Sequence, residues 1–181
     1  IGYVPRSRRS ARARISFNVS GLTETSTLTL NSGLVCNGVG RNSNFIFSIP
    51  ESITVPVNNG FAEFNNIEIY EGTFVAQSFT VRSSLSNQKF ILDNSFIDTS
   101  TIKVRVRSSQ SSTSSVTYKQ IDNIIGITST SNSYLLQEIE DERYELIFGD
   151  NVIAKKLENN NFIIASYITS AGREGNDASE F

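Results

Sequence analysis

Histidine, tryptophan and methionine are absent from this chain, cysteine occurs once and proline three times. Without His the commonest general base and metal ligand is missing, so any acid–base chemistry would fall to Lys, Tyr or a carboxylate. With Cys36 alone, no internal disulfide framework can form, no oxidising compartment is implied, and a buried thiol is the expected state. No apolar run approaches the ~18 residues that cross a membrane, and the N-terminus lacks the apolar core of a signal peptide. The lack of Met extends to position 1, and the chain stops at Phe181 just past a Gly-Asn pair, which points to a segment of a longer polypeptide. Without Trp, a sugar-stacking platform would have to be built from Tyr and Phe.

What is present is an ordinary globular composition: 181 residues with 38% hydrophobic content, enough for one large or two small domains. The formal net charge of -2 hides an uneven distribution, because Arg6, Arg8, Arg9, Arg12 and Arg14 are five of the 16 basic residues and leave the remainder distinctly acidic. A basic arm on an acidic body suits nucleic acid or an acidic protein surface. Nucleic-acid recognition usually sets aromatics or a broad basic face beside the charge, and only Tyr3 is near. The expectation is therefore an arm or linker over residues 1–14 that joins or docks by pairing with carboxylates, either extended or, over Ser7–Arg14, a short helix by propensity, with the five arginines as interface candidates and no nucleic-acid partner.

From Ile15 onward the chain alternates. Ile15, Phe17 and Val19 interleave with Ser16, Asn18 and Ser20, and Phe45, Phe47 and Ile49 repeat the period of two up to Pro50, which predicts strands. Asn58-Asn59-Gly60 between two apolar runs is a hairpin turn. Gly-containing Asn37–Asn42 lacks the Gly-Lys-Ser/Thr ending of a phosphate loop and reads as a surface loop. Ile102, Val104 and Val106 alternate with Lys103, Arg105 and Arg107, the pattern of an edge strand with a solvated basic face. Ser108–Ser115 is a polar connection. No window of eleven or more residues carries helical periodicity with caps. The fold class is all-β: two small antiparallel sandwich- or barrel-like units in tandem, 15–92 and 93–181, divided near Asp93-Asn94-Ser95.

The least generic stretch runs from Tyr134 to Asn176. Leu135–Ile139 and Tyr144–Phe148 flank a charged tetrapeptide, Glu140–Arg143, as a hairpin; turn residues follow at Gly149-Asp150-Asn151 and Asn159–Asn161, and Phe162–Ile168 makes a third strand, together a β-meander. Asp150 is placed to accept backbone N–H groups two residues on and to fix the reversal, with Phe148 anchoring it in the core. The carboxylates from Glu138 to Asp150 lack the spacing of a pre-folded cation loop, and the better reading is a solvated hairpin tip. No cofactor, metal site or catalytic residue is implied.

Those residues carry a resemblance. The order Phe148-Gly149-Asp150, Lys155-Lys156-Leu157-Glu158-Asn159, a strand ending at Tyr167, then Gly172 and Gly175-Asn176, resembles the signature of the baseplate J-like family of contractile-tailed phages. Longer phrases, Tyr3–Ala11, Ile67–Thr73, Phe96–Val106 and Leu135–Gly149, resemble the wedge subunits of its T-even-like branch. The resemblance implies a non-enzymatic virion component of the tail baseplate, assembled in the host cytoplasm, homodimeric, in contact with other wedge proteins, and without membrane or small-molecule ligands. It also exposes departures. Where the family has glycine after Phe-Gly-Asp, three residues later, and in the next turn, this chain has Asn151, Ala154 and one of Asn160 or Asn161. Asn tolerates left-handed backbone; Ala154 is the position that strains the match. A carbohydrate- or receptor-binding sandwich of a tail or fibre is the alternative reading.

Overall fold

The computed structural model describes residues 7–40, 44–172 and 178–180, the last three as backbone alone. Within them the protein is all-β, as the alternation predicts. The chain packs as two compact units: Arg8–Val75 with the described residues from Ile168 on, and Ala76–Tyr167 with Ser7. The division thus falls at 75/76 and 167/168, whereas the sequence placed a single joint at 92/93. Asp93–Ser95 does separate two strands, but both belong to one sheet. Turn residues mark a local reversal and carry no information about which sheet the next strand joins.

The first unit contains β1 (Arg12–Ser20), β2 (Thr27–Leu30), β3 (Gly33–Gly40), β4 (Asn44–Ile49), β5 (Ile53–Asn58) and β6 (Phe61–Glu71). Its sheet runs β14-β3-β4-β6-β5-β2, where β14 is Ala178–Glu180, and β1 pairs with β6. Inward residues of these strands, Phe47, Ile49, Ala62, Phe64, Ile67 and Ile69, form the core, with Ala13, Ile15, Phe17, Val19, Val55 and Val57 packed against it half-buried. Phe17 stacks on Phe64 with centroids 4.9 Å apart. Asn59 (φ 52°) and Gly60 (φ 79°) make the two-residue turn between β5 and β6, both with the positive φ that a primed hairpin turn requires. Arg12 and Arg14 lie in β1, so neither a linker through residue 14 nor a helix over Ser7–Arg14 forms: Arg12, Ala13, Arg14 and Ile15 already alternate, and burying Ala13 and Ile15 outweighs weak helical propensity. Asn37–Gly40 is likewise strand, not loop, since pairing of β3 with β4 overrides glycine's poor strand preference; residues 41–43 lie outside the described residues.

The second unit adds β8 (Ile91–Leu92), β9 (Ile97–Arg107), β10 (Val116–Gln120), β11 (Ser133–Glu138), a 3-10 turn (Glu140–Glu142) and β12 (Tyr144–Phe148). β7 (Thr73–Thr80) and β13 (Phe162–Thr169) run through the division of the chain. The sheet order is β7-β13-β9-β10-β11-β12-β8, with β10 and β11 parallel. Two expectations are corrected here. β9 is an inner strand between β13 and β10, not an edge; its Ile102, Val104 and Val106 are buried while Lys103, Arg105 and Arg107 are half-exposed, so the basic face is as expected but the edge is not. The 134–176 stretch is no meander, because β13 leaves β12 and inserts between β7 and β9. Alternation fixes which face a strand buries and is silent on its neighbours.

Candidate functional site

The hairpin β11–β12 forms between the two predicted runs, with Leu135 opposite Ile147 and Glu138 opposite Tyr144. Its tip is acidic and exposed, with Asp141 (φ 63°) and Glu142 (φ 55°) in left-handed backbone and Arg143 reaching Asp141 at 3.6 Å. Glu145 pairs instead with Lys89 at 3.5 Å. Among the described residues no three His, Cys, Asp or Glu side chains converge as metal ligands would.

Beyond Phe148 the chain makes the reversal that the sequence places there. Asp150 Oδ1 accepts the backbone N–H groups of Val152 at 2.8 Å and Ile153 at 2.9 Å. Those donors, Ile153 first, hold its carboxyl below the usual aspartate range. Asn151 has φ 73°; its N–H donates to Ala154 O at 3.1 Å and its Oδ1 accepts the N–H of Lys156 at 2.9 Å. Ala154, buried, has φ 61°, and Asn160 has φ 68°. Asn161 Oδ1 accepts the Glu158 N–H at 3.0 Å, closing the second turn. Phe148 is half-buried and meets the rings of Phe90, Tyr118 and Tyr134.

Tyr167 is fully buried, and its hydroxyl accepts from Asn94 Nδ2 at 2.8 Å and donates to Gln77 Oε1 at 3.2 Å. Burial raises its pKa, as it does for Tyr134 and for Tyr118, where Glu158 adds to the effect. Neither Asn94 nor Gln77 stands out in the sequence, because both are far from Tyr167 along the chain. Gly172 (φ 85°) belongs to the other unit, where its N–H donates to Ser170 Oγ at 2.9 Å. There Ser170 Oγ also donates to Glu71 Oε2 at 2.6 Å, a buried pair that sequence reasoning missed. Gly175 and Asn176 lie outside the described residues.

Of the arginines, Arg6 is outside the described residues. Arg8 Nη1 donates to Ala171 O at 3.5 Å, and Arg9 is exposed. Arg12 and Arg14 share Glu68, at 3.9 and 3.8 Å, with Arg12 also over the ring of Tyr70. Cys36 is half-buried rather than enclosed, and burial raises its thiol pKa.

No protein-family model matches the chain, and no curated protein matches it.

Two expectations test the turn. Asn151→Val should cost about 1–2 kcal/mol in a denaturant melt, since a β-branched residue is poorly tolerated at positive φ and the Lys156 N–H loses its acceptor; a variant as stable as the parent would mean that the turn does not depend on that conformation. Asp150 supplies a pH signature. Its folded pKa is depressed, so its carboxylate contributes stability above the unfolded pKa and loses it as pH falls through the folded value. Parent and Asp150→Asn should therefore differ most near neutrality and converge below the ordinary aspartate range, read from melts across pH 2–7.

Proposed function

We propose that this chain is a structural module of a contractile-tail baseplate wedge, working through protein–protein contacts rather than by catalysis. The observation that carries the reading is local and conformational. Asn151, Ala154 and one of Asn160 or Asn161 stand where the baseplate J-like family has glycine; Asn151 and Ala154 both have positive φ, as does Asn160 of the third pair. An alanine held at φ 61° costs about 1–2 kcal/mol of backbone strain, so its presence there supports a turn whose shape is kept after the glycine is gone. On this reading the chain works in the virion with other wedge proteins and as a homodimer, with no cofactor and no small-molecule substrate.

The deciding experiment is electron microscopy of contractile-tail particles from lysates that contain the chain, labelled with antibody raised against it, beside a glycan array of the purified protein. Label at the baseplate end and a blank array are expected. Unlabelled tails with a specific glycan signal would replace this reading by the carbohydrate-binding module.

A further inference from the structure

We propose that the solvent-facing side of β9 and β10 is a docking surface for an acidic, extended segment of another protein, its carboxylates seated on Arg105, Arg107 and Lys119 and flanked by apolar residues. As a protein–protein contact it rests on the assembly reading.

Edge protection does not explain the charges on this face. Lysine and arginine on an edge strand block edge-to-edge aggregation, but β9 lies between β13 and β10, and β10 between β9 and β11. Arg105 and Arg107 share the half-exposed face of β9, about 7 Å apart. Thr117, opposite Arg105, and Lys119 carry the same face onto β10, both of them exposed. Among the described residues the side chains of Arg105, Arg107 and Lys119 make no ion pair or hydrogen bond, and Arg107 Nε is enclosed without an acceptor. Like charges set side by side on neighbouring strands repel, and a carboxylate brought between them relieves the repulsion.

The surroundings define the occupant. Glu158 and Asp122 lie within electrostatic reach of Tyr118 and Tyr134, whose rings are buried on the other face, and Glu138 has the strand parity of buried Tyr134. Glu145 shares the outer face, but it stands two strands beyond β10, about 10 Å away, and is paired with Lys89 at 3.5 Å. Residues 1–6 hold no carboxylate, and Ser7 meets β9 at Thr99, roughly 20 Å along the strand from Arg105. An acidic segment therefore meets cations that this sheet leaves uncompensated. Apolar side chains flank them: half-buried Phe162 and Ile164 on β13, and on the other side Leu135, 42% exposed, with half-buried Ile147 across from it. Aliphatic flanks favour a protein partner over a nucleic acid. So does the placing of Tyr118, Tyr134 and Tyr144, all buried on the inner face, where no base can stack.

Amide chemical shifts of the isotope-labelled chain, titrated with the peptide Leu-Glu-Glu-Glu-Glu-Leu, test the surface, because they read weak binding and its place together. Changes gathered on Arg105, Arg107, Thr117 and Lys119 are expected. Arg105→Gln with Lys119→Gln, folded by circular dichroism, should weaken binding at least about tenfold, and added salt should weaken it in the parent. Arg12→Gln with Arg14→Gln, in the other unit, should leave it unchanged, and the same peptide with Lys for Glu should not bind. Shift changes centred elsewhere, or equal affinity in the Arg105 and Lys119 variant, overturn the site. Equal binding of a peptide with Gly for both Leu overturns the part given to the apolar flanks. An oligonucleotide that binds the same residues more tightly than the peptide overturns the choice of partner. A blank titration together with labelled baseplates would remove this surface and leave the assembly reading in place; unlabelled tails with intact peptide binding would do the reverse.

Discussion

Phe148→Ala is expected to lower unfolding free energy by about 3–5 kcal/mol, the range for truncating a packed aromatic ring. The ring sits at the end of β12 and is met from three directions: edge-on by Phe90 at 5.6 Å and by Tyr118 of β10 at 5.6 Å, and tilted by Tyr134 of β11 at 6.2 Å. Tyr134 is also its cross-strand partner. Removing it strips contacts from two fully or nearly buried tyrosines, and their rigid rings cannot collapse into the space. Ile125→Ala is the internal control, since Ile125 is 85% exposed and its truncation should stay within about 0.5 kcal/mol. The check is a pair of denaturant melts with unchanged slope. If the two variants lose similar stability, Phe148 does not anchor the turn that follows it.

The contrast between those residues also shows where the sequence was readable. Alternation at Ile15–Val19, Phe45–Ile49 and Ile102–Val106 marks strands and inward faces because the side-chain period of a strand is two whatever its neighbours are. Asn59-Gly60 was legible because few residues accept two consecutive positive φ values. Asp150 was legible because its hydrogen bonds close within three residues. Pairing was not legible: nothing in Phe162–Thr169 says that it sits between β7 and β9 rather than beside β12, since any strand with one apolar face satisfies either position. The same blindness moved the boundary between units from 92/93 to 75/76 and 167/168. Tyr167 held by Asn94 and Gln77, and Glu71 held by Ser170, depend on pairs 73 to 99 residues apart, and local pattern does not encode them. Of the candidate site, the turn chemistry was visible and its three-dimensional support was not.

Gly149→Ala is expected to be the costliest small change in the turn, about 3 kcal/mol, at the upper end for overpacking a filled site. A Cβ at Gly149 would fall on the carbonyl of Ala154 and within 2.5 Å of Ile153 O. The Ala154 oxygen is not free to retreat. Ala154 O accepts the Asn151 N–H at 3.1 Å, and the Ile153 and Val152 amides are tied to Asp150 Oδ1, so the loop can yield only by breaking the bonds that define it. Ala154→Gly should act in the opposite direction by about 1 kcal/mol, because glycine takes φ 61° without the Cβ penalty while the more flexible unfolded chain offsets part of the gain. The double variant decides between two accounts of the loop. What a methyl group on Gly149 would strike is a backbone carbonyl and not the Ala154 methyl, so Gly149→Ala should keep most of its cost in the Ala154→Gly background, the two effects adding within about 0.5 kcal/mol. Full rescue in a thermal or denaturant melt would instead mean that relaxing residue 154 lets its carbonyl swing clear, and that the strained alanine, rather than the Asp150 and Asn151 bonds, is what holds the turn shut.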